Sequence, residues 1–317
     1  MNKSEQETLQ FVLGKLAERM VTTRRLKERF NPEVPKQASP EQPGVVFVLG
    51  AGCSMQYGLP SFVHLLRHSY DDLQPRGPKR DKAWGLDSLR DRLDPHWRTS
   101  KPQELRDLLD WYLNRIHGSQ CTGYLRLARM VRNGYVTAIV NMNFDLLLKQ
   151  ALSTTCDPKQ YVFSRTFDPK DNVGILNEAV VFTPHGSMQD GQGVPILDLA
   201  SSDLFDTKDE TEAAERLFRQ NDIVFLGYSG ADAKIAAALT PAKVPTDKEE
   251  KDPQDYNQIF VLNVTTPDPR LLRIMVARRS TDLAVTGYAA AFENVMEELD
   301  QALEQYWNMP QDFADRL

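Results

Sequence analysis

The chain has 317 residues and a formal net charge of -6, from 38 Lys and Arg against 44 Asp and Glu. That balance argues against a protein whose main task is to wrap nucleic acid, and the lack of any run of about eighteen apolar residues argues against a membrane span. A hydrophobic content of 41% with 26% charged residues is that of a globular protein, with room for one large α/β domain or two smaller ones.

Three cysteines, Cys53, Cys121 and Cys156, are scattered with no C-x-x-C pair, so neither a disulfide framework nor a four-cysteine zinc site is expected. The opening MNKSEQETLQFV has no charged-then-apolar leader, and the expected compartment is the cytoplasm.

In chain order, residues 5–30 carry apolar side chains at helical spacing, and Pro32, Pro35, Pro40 and Pro43 then break the pattern. Val45 to Leu49 (VVFVL) is a continuous β-branched and apolar run bounded by Gly44 and Gly50, which predicts a strand buried on both faces of a parallel sheet. Helical period returns at Ser61, gives way to charged, turn-rich text from Gln74 to about Lys101, and returns as two helices up to Gly134. A helical insertion over about 64–133 is expected. Four further strands are predicted in YVTAIVNMN, AVVFTPHG, DIVFLGYSG and NQIFVLNV, each an apolar run ending in a small or polar cluster, with mostly helical text between them. Strands alternating with helices imply βαβ units, and ligands in such sheets bind beyond the carboxyl ends of the strands, where these clusters fall. The polar stretch 245–256 reads as a loop, and AAFENVMEELDQALEQYW as an amphipathic helix.

Each strand end carries candidate chemistry. Gly50-Ala51-Gly52 leaves backbone amides unobstructed and Ser54 adds a hydroxyl at the start of a helix, which suits a diphosphate; the same residues also make a tight strand-to-helix turn with no ligand. A Walker loop is excluded because no Gly-Lys-Ser/Thr follows, and an ordinary Rossmann fingerprint lacks its third glycine. Asn143 and Asp145 stand where the second strand turns into a helix, as polar site groups or as caps. His185 is the one histidine of five that follows a buried strand, and imidazole is the side chain most readily poised as a base near neutral pH. Gly227, Ser229 and Asn263 close the last two predicted strands.

The order of these clusters, Gly50-Ala51-Gly52-Cys53-Ser54, Gly58-Leu59-Pro60-Ser61-Phe62, Asn143-Phe144-Asp145, His185-Gly186, Gly227-Tyr228-Ser229 and Asn263, resembles the sirtuin family of NAD-dependent deacylases and their relatives over about Val45 to Val264. The resemblance implies an α/β, Rossmann-like, mainly parallel sheet of the sirtuin NAD-binding type, with a helical insertion and no zinc module. It implies domains at 1–44 (N-terminal helix and proline-rich linker), 45–287 (NAD-binding domain with its insertion) and 288–317 (C-terminal helix). Gly50, Ala51, Gly52 and Ser54 would cradle the NAD diphosphate, with Pro60 and Phe62 near the nicotinamide. Asn143 would orient the nicotinamide ribose or a water, Asp145 would contact the carboxamide, and His185 would act on a ribose hydroxyl. Gly227, Ser229 and Asn263 would hold the adenosine half.

Departures from the family pattern redirect the activity. Val63 stands where deacylases carry Arg, Met142 stands where they carry Gln, and the zinc cysteines are missing. The chain therefore looks closer to the zinc-free sirtuin-like proteins of bacterial antiviral defence, which hydrolyse NAD to nicotinamide and ADP-ribose. NAD is expected as substrate and no metal. Since no sensor domain is visible, activation is expected from assembly into a homo-oligomer or from a separately encoded ATPase or other defence protein. The alternative is a non-catalytic NAD-binding scaffold or regulatory subunit beside an ATPase or nuclease. The N-terminal helix reads either as an exchange arm between subunits or as a helix packed on its own domain. Its arginines face solvent, or else nucleic acid or an acidic partner.

Overall fold

The computed structural model describes residues 3–29, 44–61, 64, 116–164, 178–184, 207–228, 230, 233–239, 257–277, 280–287 and 290–309. The proline-rich linker, most of the expected insertion and the 245–256 loop lie outside these residues.

The first strand, β1 (Val45–Leu49), sets the architecture. All five side chains are fully buried, with Val45, Phe47 and Leu49 in the core on one face of the sheet and Val46 and Val48 in the core on the other. Only a central strand covered on both faces buries such a run, and each buried Val, Leu or Phe contributes about 1.5–3 kcal/mol. The remaining strands are β2 (Ala138–Asn141), β3 (Tyr161–Ser164), β4 (Ala179–Phe182), β5 (Asp222–Leu226), β6 (Ile259–Asn263) and β7 (Ala284–Thr286). They form one seven-stranded sheet in the order β3-β4-β2-β1-β5-β6-β7, every pair parallel. The mainly parallel α/β sheet expected from the alternation of strands and helices is thus present, in the Rossmann-like form that the resemblance implies. Its two outermost strands, β3 and β7, go beyond the five that the apolar runs predict.

Helices cover both faces. On one lie α1 (Lys3–Arg29), α3 (Thr122–Arg132), α4 (Leu147–Thr155) and α8 (Phe292–Trp307), and on the other α5 (Lys208–Gln220), α6 (Ala233–Leu239) and α7 (Pro269–Ala277). A single turn, α2 (Gly52–Met55), follows β1. Within the range expected as an insertion, α3 buries Tyr124, Leu127, Ala128, Met130 and Val131 in the main core, immediately before β2.

The N-terminal helix packs on its own domain. Leu9, Val12, Leu13, Leu16, Ala17 and Met20 recur at intervals of three and one, so they share one face, and that face is buried against α8 and the sheet. Arg19 pairs with the buried Asp222 at the start of β5, its Nη2 donating to Oδ1 at 2.8 Å beside a second bond from Nε. Arg25 donates to the carbonyls of Trp307 (2.9 Å) and Met309 (3.2 Å) at the end of α8, and Arg24 lies over the Trp307 ring at 4.2 Å. Arg24 and Arg25 are thus engaged at the α8 terminus, where cations meet orphan carbonyls favourably.

The chain leaves β1 toward β2 and leaves β5 toward β6, and these neighbours lie on opposite sides of the adjacent pair β1 and β5. That is a topological switch point, the place where open α/β sheets bind their ligands, beyond the carboxyl ends of the strands.

Candidate functional site

The turn after β1 and the turn after β5 meet at this switch point through glycine. The Gly50 amide donates to the Leu226 carbonyl and the Gly52 amide to the Gly227 carbonyl, each at 2.9 Å. A Cβ on Gly52 would lie 2.7 Å from the Gly227 Cα, and one on Gly50 would lie 2.5 Å from the Gly227 carbonyl oxygen. Both glycines are required by this backbone contact alone. Cys53 and Ser54 return their amides to Gly50 and Ala51, so of the residues expected to cradle an anion, Ala51 is the one whose amide is not committed to these bonds. The helix expected from the turn is one turn long in α2, so it carries little dipole.

Beside this interlock lies a buried polar cluster assembled from three elements. Ser54 of α2 is 2% exposed, Tyr124 of α3 0%, and Asn143 and Asp145 after β2 5% each. The Ser54 hydroxyl donates to Asp145 Oδ2 at 2.7 Å and meets the Tyr124 hydroxyl at 2.8 Å. Asn143 Nδ2 donates to the Gly50 carbonyl at 3.1 Å and to the Tyr124 hydroxyl at 3.4 Å. The other Asp145 oxygen accepts the Leu147 amide at 3.0 Å where α4 begins, and Asn141 Oδ1 accepts the Asn143 amide at 3.2 Å. One Asp145 oxygen thus holds the first amide of α4 and the other joins the cluster.

Burial sets the electrostatics. It pushes the Asp145 carboxyl above the ordinary carboxylate range, with the bonds from Ser54 and Leu147 opposing. It also pushes the Tyr124 hydroxyl well above its ordinary value, so that group stays protonated. The Cys53 thiol, buried and donating to the Leu226 carbonyl at 3.2 Å, is pushed up as well, which removes it as a thiolate nucleophile.

A second hub supports the first. Glu293, in the first turn of α8, accepts from the Tyr57 hydroxyl, from Thr122 Oγ1 at 2.5 Å and from the Gly123 amide at 3.2 Å. It thereby caps the start of α3 and holds the loop that follows α2. Tyr124, one residue along α3, is packed between Phe292 and Tyr57, with ring centroids 4.8 and 6.0 Å away.

The structure brings Gly50, Ala51, Gly52, Ser54, Asn143, Asp145, Gly227 and Asn263 to the carboxyl edge of the four adjacent strands β2, β1, β5 and β6. Asn263 is buried and donates to the Tyr228 carbonyl (3.4 Å) and Thr265 Oγ1 (3.3 Å), tying the end of β6 to the turn after β5. Pro60 is half-buried in the loop after α2, and Met142 packs half-buried against the α5–α7 side of the core. His185, Phe62, Ser229 and Val63 lie outside the described residues. Tyr124 and Glu293 belong to the site and to none of the motifs. Among the described residues, no group of three or more His, Cys, Asp or Glu is placed to hold a metal ion, and no helix is long and apolar enough to cross a membrane.

No protein-family model matches the chain, and no curated protein matches it. Among solved structures it is similar to a Sir2 homologue carrying three substitutions in complex with 2′-O-acetyl ADP ribose, at 18% identity and a TM-score of 0.45, covering 85% of this chain and 95% of that one. It is similar to a structure described for the mechanism and regulation of Sir2 enzymes, at 12% identity and a TM-score of 0.44, over 91% and 98% of the two chains. A Sir2 complex with a p53 peptide and NAD+ is similar at 17% identity and a TM-score of 0.41, over 84% and 94%.

Proposed function

We propose that this chain binds NAD across the carboxyl edge of β2, β1, β5 and β6 and hydrolyses it to nicotinamide and ADP-ribose. The observation that carries the reading is the meeting of Ser54, Asn143 and Asp145 in one buried cluster beside the switch point, although 91 residues separate Ser54 from Asp145. Breaking the bond between nicotinamide and ribose leaves positive charge on the sugar, and fixed amide and carboxylate dipoles in a dry site stabilise such charge without reorganising. Water supplies the new bond to the ribose carbon, nicotinamide leaves with the bonding pair, and the proton released by water passes to solvent.

The residues fit the substrate in a divided way. Ala51 offers an amide to the diphosphate, Asn143 faces the ribose or the water, Asp145 the carboxamide, and Asn263 with Gly227 the adenosine half. His185 would act as base on a ribose hydroxyl, Pro60 and Phe62 would stand near the nicotinamide, and Ser229 would join the adenosine contacts. Ser54 acts through Asp145 and Tyr124, its hydroxyl being engaged there. We read the protein as a cytoplasmic effector of antiphage defence, switched on by assembly or by a separately encoded partner, a role supported by the motif resemblance alone.

The bonds that already engage Ser54 and Asp145 within the protein favour a second reading, a scaffold that binds NAD without cleaving it. One experiment separates the two: nicotinamide release from NAD by the purified chain, alone and with candidate partners, beside Asn143→Ala and His185→Ala. Release by the wild type that both variants lose supports hydrolysis. Binding without release under every condition supports the scaffold, and equal release by all three chains overturns the assigned roles.

A further inference from the structure

Tyr124 sits at the centre of the buried cluster, and its hydroxyl touches both halves of it. Its ring is fixed between Phe292 and Tyr57, so the direction of that hydroxyl is fixed too. The donors around it can be ordered from chemistry alone. A backbone carbonyl only accepts, so the Asn143 group that meets Gly50 at 3.1 Å must be the amide nitrogen. The same nitrogen lies 3.4 Å from the Tyr124 oxygen, which meets it with a lone pair. Ser54 donates to Asp145 at 2.7 Å, and the remaining partner of Ser54 is the Tyr124 hydroxyl, which then donates to Ser54 at 2.8 Å. Each bond in the series dictates the next. The Asn143 nitrogen is held inward at two acceptors, and its carbonyl oxygen, on the opposite side of a planar amide, is turned away from both.

We infer that Tyr124 is a positioning residue, which locks the Asn143 amide with its carbonyl oxygen outward, so that the ligand group received there is a hydrogen-bond donor, a hydroxyl or a water, and not a carbonyl or phosphate oxygen. The identity of that donor as a hydroxyl of the nicotinamide ribose, or as the attacking water, rests on the proposed function; the lock itself does not. Tyr124 acts on the ligand through the amide it holds rather than by touching the ligand itself. A tyrosine is suited to the task because its hydroxyl stays protonated in this buried place while its ring fills the core.

The test uses the full chain labelled with nitrogen-15 at asparagine, with the Asn143 side-chain signal assigned by its loss in Asn143→Asp. Tyr124→Phe keeps the ring and removes the hydroxyl. Exchange of the Asn143 side-chain hydrogens with water is expected to quicken about tenfold in this variant, with the melting temperature nearly kept. Ser54→Ala, which frees the Tyr124 hydroxyl, is expected to quicken it less and serves if Tyr124→Phe does not fold. Unchanged exchange in both variants overturns the inference. With NAD, Tyr124→Phe is expected to lower kcat about tenfold at little change in KM. It is also expected to lose the wild type's preference for NAD over an analogue whose nicotinamide ribose lacks its hydroxyls. A fall of kcat that only tracks lost folded protein, with that preference intact, also overturns it. A wild type that neither binds nor cleaves NAD defeats the proposed function, and the exchange experiment then decides the lock by itself.

Discussion

Gly52 and Gly227 stand backbone against backbone at the switch point, the amide of the first bonded to the carbonyl of the second at 2.9 Å. A methyl group on either has nowhere to go, since the Cβ of residue 227 would lie 2.4 Å from the Cys53 nitrogen. Gly52→Ala is expected to cost about 2–3 kcal/mol through overpacking. Gly227→Ala should cost about 1 kcal/mol more, because its φ of 57° lies in the left-handed region. Gly58, at a φ of 80° with nothing within 4 Å of its missing Cβ, is the control: Gly58→Ala should cost about 1 kcal/mol. Urea unfolding of the three variants ranks them, and a Gly52→Ala chain as stable as wild type would show that the two turns separate easily.

Arg19 and Asp222 tie the N-terminal helix to the sheet. The Asp222 side chain is 2% exposed, and its Oδ1 also accepts the Gln258 amide at 2.7 Å. Arg19→Ala removes the cation that faces a buried carboxylate, which should cost about 2–4 kcal/mol. Arg19→Lys restores the charge but not the two parallel bonds, so it should recover only part of the loss. Thermal unfolding of both variants checks the order.

Two carboxylates give the fold opposite responses to acid. Burial pushes Glu293 upward, but the bonds from Thr122, Tyr57 and Gly123 outweigh it and hold the carboxyl below its ordinary 4.5. The folded chain then binds this proton less readily than the unfolded one, so the stabilisation is present above 4.5 and is lost as pH falls through the lowered value. Asp145 runs the other way. Burial holds it above 3.8, so its contribution is fully present below 3.8 and is lost as pH rises through the raised value. Glu293→Gln should therefore flatten the acid limb of stability against pH, and Asp145→Asn should remove a component that declines toward neutrality. Melting temperatures between about pH 3 and about pH 7 measure both slopes.

Asn263 tests the β6 side of the switch point. Its amide holds the Tyr228 carbonyl and Thr265, so Asn263→Ala should loosen the turn after β5 and weaken NAD binding about tenfold while costing about 1 kcal/mol of stability. Calorimetric titration with NAD, set beside a melting curve, separates the two effects.

The parts of the fold legible in the sequence are those whose burial leaves a continuous apolar run. β1, β5 and β6 read plainly because five consecutive buried side chains on each admit no polar residue except Asp222 and Asn263 at their ends. β3 and β7 lie at the sheet's edges, where no side chain of β3 is fully buried and β7 runs for three residues only, so no long buried run exists to be read. The motif residues Gly50, Asn143 and Asp145 were legible because each follows a strand. Tyr124 was not, since a tyrosine on the apolar face of an amphipathic helix reads as core, and its hydroxyl's partners come from two distant segments. Glu293 was equally hidden, because an acid in the first turn of a helix is ordinary.

Glu293 and Tyr57 are 236 positions apart, and Thr122 falls between them. During synthesis the glycine turn, β1 and α3 emerge from the ribosome long before the acceptor that joins them exists. Until α8 docks, the loop after α2 and the start of α3 lack their shared clamp, and the Tyr124 ring lacks the Phe292 wall that aims it. A nascent chain therefore carries every residue of the glycine and asparagine motifs without their folded arrangement, and translation of α8 is what completes it.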